Sequence, residues 1–126
     1  MKLFLSIFAA GLFLTVVTDC RADTGNDFLR KCSVIEKYYS GNAEKGTYDE
    51  IVNFAWCTGW VDGFISGTHA EASAAGRCQL DTEKVEVGQT VRIILKYVRE
   101  RPEAAHKEMQ ILAQSALAKA LPCGTP

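Results

Sequence analysis

The sequence predicts an all-α domain, a compact bundle of about four helices stapled by two disulfides. Three observations point there. Apolar residues recur at spacings of three and four in four separate stretches, as in helices buried along one face. No stretch shows the alternation of a half-buried strand. Four of the five cysteines lie in the part of the chain that must fold, and an even number in a small exported domain reads as a disulfide framework.

The first helix carries Phe28, Cys32, Ile35 and Tyr39 on one face, with Asn26 or Asp27 as its cap and Gly41 as its stop. The second runs from about Tyr48 to Ala72 behind Thr47, with Ile51, Phe54, Thr58, Val61 and Ile65 on one stripe. Its opposite face collects Trp56, Gly59, Trp60, Gly63, Phe64 and Gly67. A helix that is apolar all round is either central in a bundle or buried in an oligomer. The glycine row allows another helix to approach closely, so both a packed core helix and a homodimer seam fit this face. Asn53, Asp62 and His69 argue against a membrane span.

The third helix presents Val87, Val91, Ile94, Leu95 and Val98. The fourth opens at Pro102, where a missing N–H costs nothing in the first turn. It continues through Ala105, Met109, Leu112, Ala116 and Ala120 until Pro122 ends it.

Ahead of these helices lies a leader. Lys2 and the apolar run LFLSIFAAGLFLTVV form a charged start and a hydrophobic region shorter than a transmembrane helix needs. Cys20-Arg21-Ala22 places small residues where a signal peptidase reads them, so residues 1–22 are expected to be a secretory signal peptide and residues 23–126 the folded domain. Acylation of Cys20 is the rival reading, and Asp19 before that cysteine argues against it. The expected compartment is the periplasm, without a membrane anchor.

The formal charge of the 126-residue chain is −1. Near-neutrality without basic clusters argues against nucleic acid as a partner. The length bounds the chain to one domain with a modest core.

Four cysteines allow three pairings. A hairpin of helices one and two turning near residue 44 brings Cys32 level with Cys57, leaving Cys78 to pair with Cys123. In that scheme the thiols are structural and not nucleophiles. His69 lies seven residues beyond Asp62, about two helical turns away, too far for a direct hydrogen bond, and His106 sits among Glu103, Lys107 and Glu108. No metal, cofactor or phosphate motif is present. The sequence therefore gives no catalytic residue, metal site or cofactor, and enzymatic activity is not expected. The connection 68–86 is long for a compact domain. It reads either as a solvated link or as a recognition loop pinned by Cys78.

The stretch CTGWVDG, with Cys57, Gly59, Trp60 and Gly63, resembles the core of the Tai/Rap family of type VI secretion amidase immunity proteins. Gly88-Gln89, the following VRIILKYVRERPE, Ala116-Leu117 and Leu121-Pro122-Cys123 are similar to the family's C-terminal run. Trp60 and Leu121 stand where the family usually carries tyrosine and phenylalanine.

The resemblance spans roughly residues 54–123. It implies a helical, often dimeric inhibitor that binds a peptidoglycan amidase effector and puts a loop into its active-site groove. Under that reading His69, Glu71, Ser73 and Arg77 are the expected effector contacts. A small periplasmic helical chaperone or stress protein without a toxin partner is the alternative.

Overall fold

The computed structural model of the chain describes residues 22–41, 46–82 and 84–123. The expected leader through Arg21, with Cys20, and the expected turn near residue 44 lie outside the described residues. Five α-helices follow in order among the described residues: α1 Gly25–Cys32, α2 Val34–Tyr39, α3 Tyr48–Ala74, α4 Val87–Arg99 and α5 Met109–Ala120. A short 3₁₀ turn, Pro102–Ala104, separates α4 from α5. The all-α class is as the sequence predicts, with α1 and α2 occupying the place of the first expected helix.

That first helix breaks at Ser33, where Glu36 N–H bonds Ser33 O three residues back and the turn tightens. The cap is Thr24, not Asn26 or Asp27. Its hydroxyl accepts from Asp27 N–H, and the Asp27 carboxylate accepts in return from Thr24 N–H at 3.0 Å. This reciprocal box satisfies two donors that the helix start leaves open. The backbone hydrogen bond from Thr24, aided by the Thr24 hydroxyl and Arg30, holds the Asp27 carboxyl well below the usual carboxylate range. Gly41, with φ 76°, lies just past the end of α2. Thr47 caps α3 as expected, in a second reciprocal box with Glu50.

The last helix begins later than its sequence suggests. In a continuous helix Ala105 O would accept from Met109 N–H. Here Ala105 O accepts from Asn26 N–H at 2.8 Å, Lys107 O from Gly25 N–H, and Met109 N–H donates to Asp23 O at 2.8 Å. The chain start thus takes over the backbone groups of residues 105–109, and Thr24 bridges Glu108 in the antiparallel sense. Gly25 is fitted to this crossing: a Cβ there would lie 2.6 Å from Leu112 Cδ1 and 2.9 Å from Ala105 O.

The central element is α4, which packs against all four other helices. Its Val91, Ile94, Leu95 and Val98 are fully buried against Phe28, Cys32 and Ile35, Cys57 and Val61, and Met109 and Leu117. Burying side chains of this size stabilises by about 1.5–3 kcal/mol each. The expected face of α4 is therefore the observed one. On α2 the ring of Tyr39 lies over Gly88, where a Cβ would come within 2.3 Å of the ring's Cε2 atom. The glycine of the Gly-Gln motif is what lets this tyrosine close down on α4.

Central burial is not the fate of α3. Only Cys57 and Val61 are fully buried on it. Trp56, Trp60 and Phe64 lie half-buried against the core, their rings stacked in series at 6.4 and 5.3 Å, with Phe28 edge-on to Trp60. Gly59, Gly63 and Gly67 fall on the other side, exposed, and a Cβ at each would meet nothing within 4 Å. The six residues expected on one face thus split into a packed aromatic row and an open glycine row. Ile51, expected on the buried stripe, is 56% exposed.

Candidate functional site

The described residues assemble no reactive constellation. Cys32 pairs with Cys57 and Cys78 with Cys123, at Cα separations of 5.4 and 5.7 Å. None of these four therefore offers a thiolate. No group of three or more His, Cys, Asp or Glu side chains converges as a metal site among the described residues. No helix among them is long and apolar enough to cross a membrane.

The surface that stands out is the join between α3 and α4. The helix extends to Ala74, two residues past the expected end, so His69, Glu71 and Ser73 ride on its last turns and only Arg77 lies in the connection. Gly76, at φ 60°, reverses the chain. Arg77 N–H then bonds Ala72 O at 2.8 Å and Gly76 N–H bonds Ser73 O, a Schellman-type ending that occupies the free carbonyls of α3. Cys78 ties to Cys123, and Leu80 bridges Cys123 in the antiparallel sense.

The segment then folds inward and out again. Leu80 O accepts from Thr82 N–H at 2.9 Å, and Val85 N–H bonds Thr82 O at 3.1 Å. Thr82 is one of two buried polar side chains among the described residues. His69 Nε2 stands 3.2 Å from Leu80 O and 3.1 Å from Thr82 Oγ1. Arg77, Cys78, Gln79, Asp81 and Lys84 remain exposed.

A cleft of about 140 Å³ runs between the end of α3, this connection and α5, bordered by His69, Glu71, Arg77, Leu80 and Gln114. Glu71 and Arg77 form an ion pair at its rim, both side chains largely exposed. Its walls can bind polar partners by hydrogen bonds and charge. Of the four expected contact residues, Glu71, Ser73 and Arg77 face solvent and His69 is half-buried.

Sequence reasoning missed the inward partners of His69. Leu80 and Thr82 lie eleven and thirteen residues away, a separation with no periodic signal. The Thr24-to-Asp27 box was readable as a T-x-x-D start, and it would have located the first helix correctly.

No curated protein and no solved structure matches the chain. The family model of the Rap1a immunity proteins matches residues 24–123. That span starts at the cap of α1 and ends at the cysteine that closes the connection, so it takes in every element described above. The chain belongs to the Rap1a immunity protein family.

Proposed function

We propose that the chain is a periplasmic immunity protein that binds a type VI secretion peptidoglycan amidase and occludes its active site, without catalysing a reaction itself. The observation that carries this reading is the connection 75–86, held by a disulfide, a β-bridge and the His69 contacts while exposing Arg77, Gln79 and Asp81. A segment ordered before binding loses less conformational freedom on docking, so more of its contact energy appears as affinity. Filling a catalytic groove needs shape and polar matching and no chemistry of its own. Glu71, Ser73 and Arg77 are the proposed polar contacts. The leader 1–22 supplies the route across the inner membrane.

The open glycine row of α3 supports a homodimer seam. Gly59 and Gly63, with exposed Val52 and Ala55 before them, leave room for a partner helix backbone. The test is co-purification of the mature chain with a candidate type VI cysteine amidase, followed by a peptidoglycan hydrolysis assay. Stoichiometric loss of hydrolysis is expected, weakened by Arg77→Ala. A mature chain that neither binds nor inhibits that amidase sinks the assignment.

A second reading has one observation in its favour. Tyr48 (80% exposed), Ile51 and Val52 form an apolar start to α3, the kind of surface a small periplasmic chaperone offers to unfolded chains. Suppressed aggregation of an unfolded client, without amidase inhibition, would select it.

A further inference from the structure

We infer that His69 is a positioning residue that sets the shape of the recognition segment from beneath, and is not itself a contact of the effector. The inference rests on the proposed function, because it assigns His69 a part in that same segment. Leu80 O is a carbonyl oxygen and can only accept. One of its lone pairs takes Thr82 N–H at 2.9 Å. The other faces His69 Nε2 at 3.2 Å, so that nitrogen must carry a hydrogen for the contact to be attractive. The proton is assigned to Nε2 by this network, and Thr82 Oγ1, at 3.1 Å, shares the same donor.

This arrangement adds a second hold at Leu80 and extends it to Thr82, beyond the disulfide-linked end. Cys78 is tied to Cys123 and Leu80 bridges Cys123, which anchors one end. His69 anchors the next turn, where the chain dips to bury Thr82 before it rises to α4. On either side of Leu80, Gln79 and Asp81 are left exposed. Their presentation therefore depends on a ring rooted in α3, a 27-residue helix and the longest rigid element described.

The test separates hydrogen bonding from packing. Amide hydrogen exchange on the mature chain reads the Thr82 and Val85 N–H groups directly. His69→Ala and His69→Phe, the second keeping a ring but no N–H, should each speed exchange about three- to tenfold, the span of a lost hydrogen bond. They should weaken inhibition of the cysteine amidase by a similar factor. His69→Gln, whose amide can donate to the same carbonyl, should restore both to within about twofold.

Should His69→Ala fail to fold, Thr82→Val keeps the shape and removes one partner, with a smaller rise in exchange expected. Unchanged exchange in both His69→Ala and His69→Phe, with wild-type inhibition intact, overturns the positioning role alone. So does faster exchange with undiminished inhibition. A wild-type chain that leaves the amidase active overturns the proposed function instead.

Discussion

Arg99 near the end of α4 holds Glu36 of α2 with both arms of its guanidinium, across 63 residues of sequence, with Nη2 at 2.8 Å from Oε2. This two-point grip fixes orientation as well as distance, and it clamps the short second helix to the central one. The Arg99 hydrogen bond keeps the Glu36 carboxyl below its ordinary value of 4.5, against a smaller opposing effect of burial.

The sign of the pH effect follows. A carboxylate with a depressed folded pKa adds stability above its unfolded pKa and loses it as pH falls through the folded value. Both side chains are more than a third exposed, so the contribution is screened to less than about 1 kcal/mol. Glu36→Gln should lower the melting temperature at pH 7, and the gap to wild type should narrow as pH falls below the ordinary carboxylate value of 4.5. Melts recorded from pH 7 into the acid range check this, and a gap that does not narrow with falling pH would assign the loss to something other than the ion pair.

The two disulfides should behave differently toward a reductant. Cys32 and Cys57 are fully buried, while Cys78 and Cys123 are exposed. Thiol exchange requires access to a sulfur, so mild reductant under native conditions should open Cys78–Cys123 first. Alkylation with mass mapping reads the order. Replacing both Cys32 and Cys57 by alanine should cost up to about 3.5 kcal/mol in the loop-entropy picture for their separation of 25 residues, read as a lower denaturation midpoint.

Opposite outcomes are expected at glycines with opposite surroundings. Gly25→Ala drives a methyl into Leu112 and the Ala105 carbonyl, and overpacking of this kind costs about 1–3 kcal/mol. Gly59→Ala places its methyl in open space on a helix and should stabilise the monomer by about 0.5–1 kcal/mol. If the row seats a second copy, Gly63→Leu should lower the sedimentation mass to that of a monomer without lowering the melting temperature of dilute protein.

Phe28 offers a core test. It is fully buried and meets Trp60 edge-on at 5.6 Å. Phe28→Ala should cost about 3–5 kcal/mol. The tryptophan fluorescence should shift at the same denaturant concentration as the helical signal, because Trp60 loses its packing when the core opens.

The legible part of this fold was its periodicity. Val91, Ile94, Leu95 and Val98 announce their buried face because α4 meets neighbours on one side of its own axis. The cysteine pairing was legible because a hairpin reflects Cys32 onto Cys57. On α3 the pattern misled, since aromatic and small residues together read as one apolar face. Volume decides the matter: Trp56, Trp60 and Phe64 fill space at the core, whereas Gly59 and Gly63 leave it empty. The start of α5 was hidden for another reason. What holds Ala105 and Met109 apart is the backbone of residues 23–26, and hydrogen bonds to a segment distant in sequence leave no mark on local spacing. The same holds for His69 and Thr82, whose meeting depends on the turn at Gly76.

The crossing of residues 23–26 with residues 105–109 joins two segments that lie far apart in sequence. The first described helix cannot be secured until the carbonyls of Ala105 and Lys107 exist, and Cys78 must wait for Cys123. Closure therefore needs residues 23–26, 105–109, Cys78 and Cys123 together.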